Sequence, residues 1–147
     1  MTSKHSLTLP NDIETIPQLN EFIDTVAEEI GLDMSLTMSL NLAIEEAVVN
    51  VMEYAYLEGE QGNVDIEVSA DDRWLTFIIS DNGIPFDPTT QKDADTTLSA
   101  EERPIGGLGI FLVRQLMDSI EYQRTEGKNM LTLRKKMEPN KRITKIL

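Results

Sequence analysis

The sequence predicts an α/β (α+β) two-layer sandwich: a mixed, mostly antiparallel sheet with helices on one face. Three observations predict it. Apolar residues alternate with polar ones in five short runs, and recur at spacings of three and four in three longer ones. The order is strand, helix, helix, strand, strand, long loop, helix, strand, strand, without the strict alternation of a doubly wound parallel sheet. The 147 residues suffice for one core and hardly for two.

Each element has its own signal. His5 to Leu9 alternates weakly and stops at Pro10, a short strand. Asn11 or Asp12 can cap the helix that follows, whose apolar positions are Ile16, Leu19, Phe22, Ile23, Val26 and Ile30. Pro17 falls in its first turn, where proline is tolerated, and Gly31 ends it. Asp33 or Ser35 can cap a second helix running to about Leu57, with Leu36, Leu40, Ala43, Ile44, Ala47, Val48, Val51 and Ala55 as its stripe. Val64, Ile66 and Val68 alternate with Asp65, Glu67 and Ser69. The turn Asp71-Asp72 leads into Trp74 to Ser80, and the two runs read as an antiparallel hairpin. Gly109 to Met117 reads as a short buried helix. Ser119 to Thr125 and Asn129 to Lys135 read as two more strands, joined at Glu126-Gly127-Lys128. In the last strand Met130, Thr132 and Arg134 alternate with Leu131, Leu133 and Lys135. The seven methionines read as packing residues.

Residues 81 to 107 break the pattern. Gly83, Pro85, Pro88, Pro104 and Gly106-Gly107 mark a loop too long for a plain connection, so about 84–107 reads as a lid. The expected organisation is one domain over 1–137 and a basic tail over 138–147.

Composition excludes several classes. The chain has no cysteine, hence no disulfide framework and no thiolate metal site. No apolar run approaches the ~20 residues a bilayer span needs, and Met1 to His5 lacks a signal-peptide core, so a cytoplasmic protein without membrane attachment is expected. The net charge is −13: residues 1–102 hold 22 acidic against 3 basic residues, and 103–147 hold 10 basic against 4 acidic. An acidic body disfavours direct nucleic-acid binding and suits a basic protein surface.

Three motifs carry chemistry. Glu46 and Asn50 stand four apart on the second helix, about 40° apart around its axis. There an amide oxygen can serve Mg²⁺ and a carboxylate can take a proton from a group attacking a phosphate. Asp81-Asn82-Gly83 puts a carboxylate at a strand end, able to accept from an exocyclic amine, with a glycine that lets backbone approach a flat ring. Gly106-Gly107-Leu108-Gly109 opens a helix, where free N–H groups can face an anion. Taken singly, these are also a polar helix flank, a turn and a hinge.

Together and in this order they resemble the ATP-binding domain of the gyrase, histidine-kinase and MutL (GHKL, or Bergerat-fold) superfamily. Leu42-Ala43-Ile44-Glu45-Glu46-Ala47-Val48-Val49-Asn50 resembles its N-box, Asp81-Asn82-Gly83 its D-x-G box, and Gly106 to Gly109 its second glycine box. Thr132 resembles the hydroxyl residue on the last strand of that site. Asp81-x-Gly83-x-Pro85-Phe86-Asp87 and Gly106-Gly107-Leu108-Gly109-Ile110 look like one branch, the bacterial anti-sigma factor serine/threonine kinases. Val51 and Tyr54 depart from the alanine and histidine common in the family.

The resemblance implies a Bergerat-type fold and ATP with Mg²⁺. Asn50 would hold the metal. Asp81 would bind the adenine amine with Gly83 beside the ring. Gly106, Gly107, Leu108 and Gly109 would cradle phosphates, and Glu46 would be the general base. Arg103, in the lid, could reach a γ-phosphate. Family partners are a small STAS-type anti-sigma factor antagonist, phosphorylated on serine, and in some cases a sigma factor, often with a homodimeric kinase. Two other readings stand beside this one. One is a nucleotide-gated binding module with little turnover. The other is a gyrase- or MutL-type ATPase, which needs further domains. A histidine autokinase fits poorly, because the only histidine, His5, lies in the first predicted strand.

Overall fold

A computed structural model describes residues 3–90 and 110–137. The elements are β1 (Ser3–Pro10), a 3-10 turn (Ile13–Thr15), α1 (Ile16–Ile30), α2 (Met34–Tyr54), β2 (Asn63–Ala70) and β3 (Trp74–Asp81). After a second 3-10 turn (Pro88–Thr90) come α3 (Ile110–Leu116), β4 (Ser119–Thr125) and β5 (Lys128–Lys136). The five strands form one sheet in the order β1-β2-β3-β5-β4, with every ladder antiparallel. β5 is inserted between β3 and β4, so the chain leaves β3, passes α3, and returns at the far edge. The residues of the lid beyond Thr90, and the basic tail, lie outside the described residues.

Local chemistry sets the helix limits. The Asp12 carboxylate accepts from Glu14 N–H at 2.9 Å, and Asp33 caps α2 by accepting from Leu36 N–H at 2.7 Å. Gly31 ends α1 in the left-handed region at φ 74°. α2 stops at Tyr54 and not near Leu57. Beyond its last turn the free Ala55 carbonyl accepts from Ile84 N–H at 2.8 Å, so the segment after β3 is tied to the end of α2. The hairpin between β4 and β5 turns on Glu126 and Gly127, both at positive φ (51° and 77°), the backbone of a tight two-residue turn.

The helices cover one face of the sheet. Its rows read across the strands as Val68–Phe77–Leu133 and Ile66–Ile79–Leu131, all buried, closing against Leu40, Ile44, Ala47 and Val48 of α2. Two positions along, the row becomes Val64–Asp81–Asn129. The core face therefore ends in a buried polar pair, and this positions the site. On the face opposite the helices the Arg134 guanidinium lies 4.6 Å from the centre of the Trp74 ring. The methionines divide, against expectation. Met52, Met117 and Met137 are buried, but Met34 and Met38 point to solvent, because the opposite face of α2 already fills the core.

Candidate functional site

The site is assembled from α2, the segment after β3, and the start of β5. On α2, Asn50 is only 2% exposed, and its Nδ2 donates to the Glu46 carbonyl at 2.9 Å. That bond engages the amide nitrogen and leaves Oδ1 as the atom that could face a cation. The Glu46 side chain stands half-buried on the same flank. Its pKa is raised above the ordinary value by burial, and further by the nearby carboxylates of Glu45 and Glu53. A carboxylate displaced in that direction is a better proton acceptor near neutral pH.

Asp81 ends β3 and is 3% exposed. Its Oδ1 accepts from Gly83 N–H at 2.8 Å and from Asn129 Nδ2 at 2.9 Å. Its Oδ2 is buried with no hydrogen-bond partner among the described residues. Burial raises the Asp81 pKa, while the bonds from Asn129 and Gly83 and the charge of Arg124 pull the other way. An orphaned buried acceptor is costly unless a donor arrives, and an exocyclic amine is such a donor.

Asn129 is the residue that sequence reasoning missed. It is buried, and all of its polar capacity is used. Nδ2 donates to Asp81 Oδ1 and to the Ile84 carbonyl at 2.7 Å, while Oδ1 accepts from Phe86 N–H at 3.1 Å and from the Tyr122 hydroxyl at 2.5 Å. It thus stitches β3, the following loop and β4 together. Arg124 adds a bond from Nη1 to the Gly83 carbonyl at 2.9 Å, and the Tyr56 hydroxyl accepts from Asn82 N–H at 3.2 Å. Tyr54 takes a packing role, its ring centre 5.4 Å from that of Phe86.

Thr132 does not join the site. Ladder register pairs it with Ile78 and Glu121, and its neighbours Leu131 and Leu133 fill the core. It therefore lies on the opposite face of the sheet from Asp81. Gly83 meets a packing requirement of its own, separate from the expected place beside a ring. A Cβ there would sit 2.1 Å from the Ala55 carbonyl oxygen, so the glycine lets the loop close on the end of α2. That contact also fixes the distance between the two halves of the site. Asn50 lies five residues before Ala55, about 7.5 Å of helix rise, and Glu46 lies about 13.5 Å from it. Gly106, Gly107, Leu108, Gly109 and Arg103 lie outside the described residues. A separate cleft of about 890 Å³ opens between Asn11, Glu53, Tyr56 and Asn63, and includes none of Glu46, Asn50 or Asp81.

The comparisons with known proteins agree with this geometry. A family model described as the histidine kinase-like ATPase domain matches residues 9–135. The serine-protein kinase RsbW of Listeria monocytogenes is 31% identical over 131 residues, covering 86% of this chain and 83% of the relative. The serine/threonine-protein kinase BtrW of Bordetella bronchiseptica is 32% identical over 98 residues, or 67% of this chain and 69% of the relative. The crystal structure of the RsbU and RsbW domains of a Mycobacterium tuberculosis protein shares the fold, with a TM-score of 0.65 at 18% identity. That match covers 97% of this chain, which spans 35% of the larger protein. With the polar end-row of its sheet and the α2 flank as described, the chain belongs to the histidine kinase-like ATPase family.

Proposed function

We propose that this chain is an ATP-dependent protein serine/threonine kinase of the anti-sigma factor type. In this reading it phosphorylates a serine on a small STAS-type anti-sigma factor antagonist, acts in the cytoplasm as a homodimer, and in its unengaged state sequesters a sigma factor. The observation that carries the nucleotide half is the buried, unpartnered Oδ2 of Asp81. Adenine offers an amine hydrogen to it, whereas guanine offers a carbonyl oxygen at the same ring position.

The residues fit ATP with Mg²⁺. The nucleotide would supply the γ-phosphoryl group, and the metal would neutralise charge on the phosphates. Asp81 selects and orients the base, held in place by Asn129 and by Gly83 N–H. Asn50 offers its amide oxygen to the metal while its nitrogen stays bonded to the Glu46 carbonyl. Gly106, Gly107, Leu108 and Gly109 would line the phosphates, with Arg103 closing over them. Glu46 accepts the proton of the attacking serine hydroxyl, a step its raised pKa favours over an ordinary carboxylate. A binding module without turnover has no use for a base there.

Calorimetry tests the reading with Mg-ATP and Mg-GTP. Binding of ATP with GTP at least about tenfold weaker is expected, the equivalent of one lost hydrogen bond. Equal binding of the two, or none, would remove Asp81 as an adenine reader. Asn50→Ala should abolish the Mg²⁺ dependence of ATP affinity.

A further inference from the structure

α2 has a second apolar face that the core does not use. Met34, Met38 and Leu42 stand at i, i+4 and i+8, and are 78%, 63% and 51% exposed. Helix geometry gathers them within about 80° of arc along about 12 Å. Single exposed apolar residues need no explanation, but three in register on one helix form a ridge.

The surroundings of the ridge restrict what can cover it. On one side Asn41 ties α2 to α1, donating to Asp24 Oδ1 at 2.9 Å and accepting from Asn20 Nδ2 at 3.0 Å. Along the helix, Glu45 and Glu46 follow Leu42 within about 6 Å of rise. The two helices carry Glu21, Asp24, Glu28, Glu29, Glu45, Glu46 and Glu53 and no basic residue. No lysine or arginine occurs between Lys4 and Arg73. A second copy of this face would bring like charges together. A helix with an apolar edge flanked by cations would bury the ridge and pair with its carboxylate border. Methionine suits such a contact, because its unbranched chain adapts to the partner's shape.

We propose that the Met34–Met38–Leu42 ridge of α2 is the docking surface for a basic amphipathic helix of the protein partner. Docked there, the partner lies within one helical turn of Glu46. Only this last consequence rests on the kinase reading; the contact itself does not.

The test uses the full chain and a fluorescein-labelled 14-residue amphipathic helical peptide of leucine and lysine, with a leucine–glutamate peptide as its charge-reversed control. Anisotropy should show binding of the lysine peptide alone. The double variant Met34→Ser, Met38→Ser should weaken it about tenfold or more. Ile13→Ser and Leu57→Ser, equally exposed elsewhere, should leave it unchanged. Equal loss in these controls, or no loss in the methionine variant, means diffuse charge adhesion and overturns the proposal. So does a dimer that dissociates in the methionine variant during sedimentation, which would assign the ridge to a second copy. ATP binding is measured on the same samples. Methionine-dependent peptide binding without ATP binding sinks the kinase reading alone, and ATP binding with no methionine dependence sinks the docking surface alone.

Discussion

Replacing Asp81 by asparagine should separate ligand affinity from stability. Asparagine keeps the shape, and its Oδ1 can keep both bonds, from Gly83 N–H and from Asn129 Nδ2. Its Nδ2 takes the place of the unpartnered Oδ2. The one acceptor offered to an incoming amine becomes a donor. The loss is a hydrogen bond to a charged group, worth roughly 1.5–3 kcal/mol, or about 10- to 150-fold in Kd.

Stability should move the other way. Burial raises the folded pKa of Asp81 above its ordinary value. The contribution of this group to folding is therefore complete below the ordinary carboxylate value and is lost as pH rises through the raised one. Asparagine has no such loss. Above the raised value the variant should melt no lower than the wild type, which should lose its relative advantage as pH rises from the ordinary carboxylate range through that value. Affinity in the wild type should fall as pH drops through the same raised value, because the amine needs the carboxylate. Calorimetric melting and ATP titration on both proteins check this. A variant that melts far lower above that value would make Asp81 a structural carboxylate, and one with unchanged ATP affinity would end its role in base recognition.

The remaining expectations concern single side chains. Glu46→Gln should slow phosphoryl transfer by about 10²- to 10⁴-fold with ATP affinity retained, read by single-turnover assay. In the wild type the acid limb of the rate should sit above the ordinary glutamate range, since burial and Glu45 raise this pKa. Gly83→Ala drives a Cβ to 2.1 Å from the Ala55 carbonyl, so the loop must lift from α2. A loss of ~1–3 kcal/mol in urea unfolding is expected, together with weaker ATP binding. Asn129→Ala strips the partner from Phe86 N–H, the Ile84 carbonyl and the Tyr122 hydroxyl at once. It should cost about 3 kcal/mol and weaken ATP, whereas Thr132→Ala should leave ATP affinity nearly unchanged.

What was legible in the sequence divides by the range of the interaction involved. Glu46 and Asn50 lie within one helix, so their spacing alone places them on one flank, and the structure keeps them there. The cap at Asp33 and the stop at Gly31 are equally local. The closure of the segment after β3 on the end of α2 was not legible, because the Ala55 carbonyl finds its donor in Ile84, far along the chain. Met34 and Met38 show a different limit. Their spacing fits a core stripe, but α2 carries apolar residues on two faces, and only packing decides which one is filled. Thr132 is the instructive case, because the deciding information was present in the sequence. Leu131 and Leu133 have to face the core, and a strand alternates. That parity alone turns Thr132 away from the helices and brings Asn129 to the side of Asp81, where a buried carboxylate needs a donor. The hydroxyl drew attention by its residue type, but the pleat had already assigned the position to the amide two residues before Leu131.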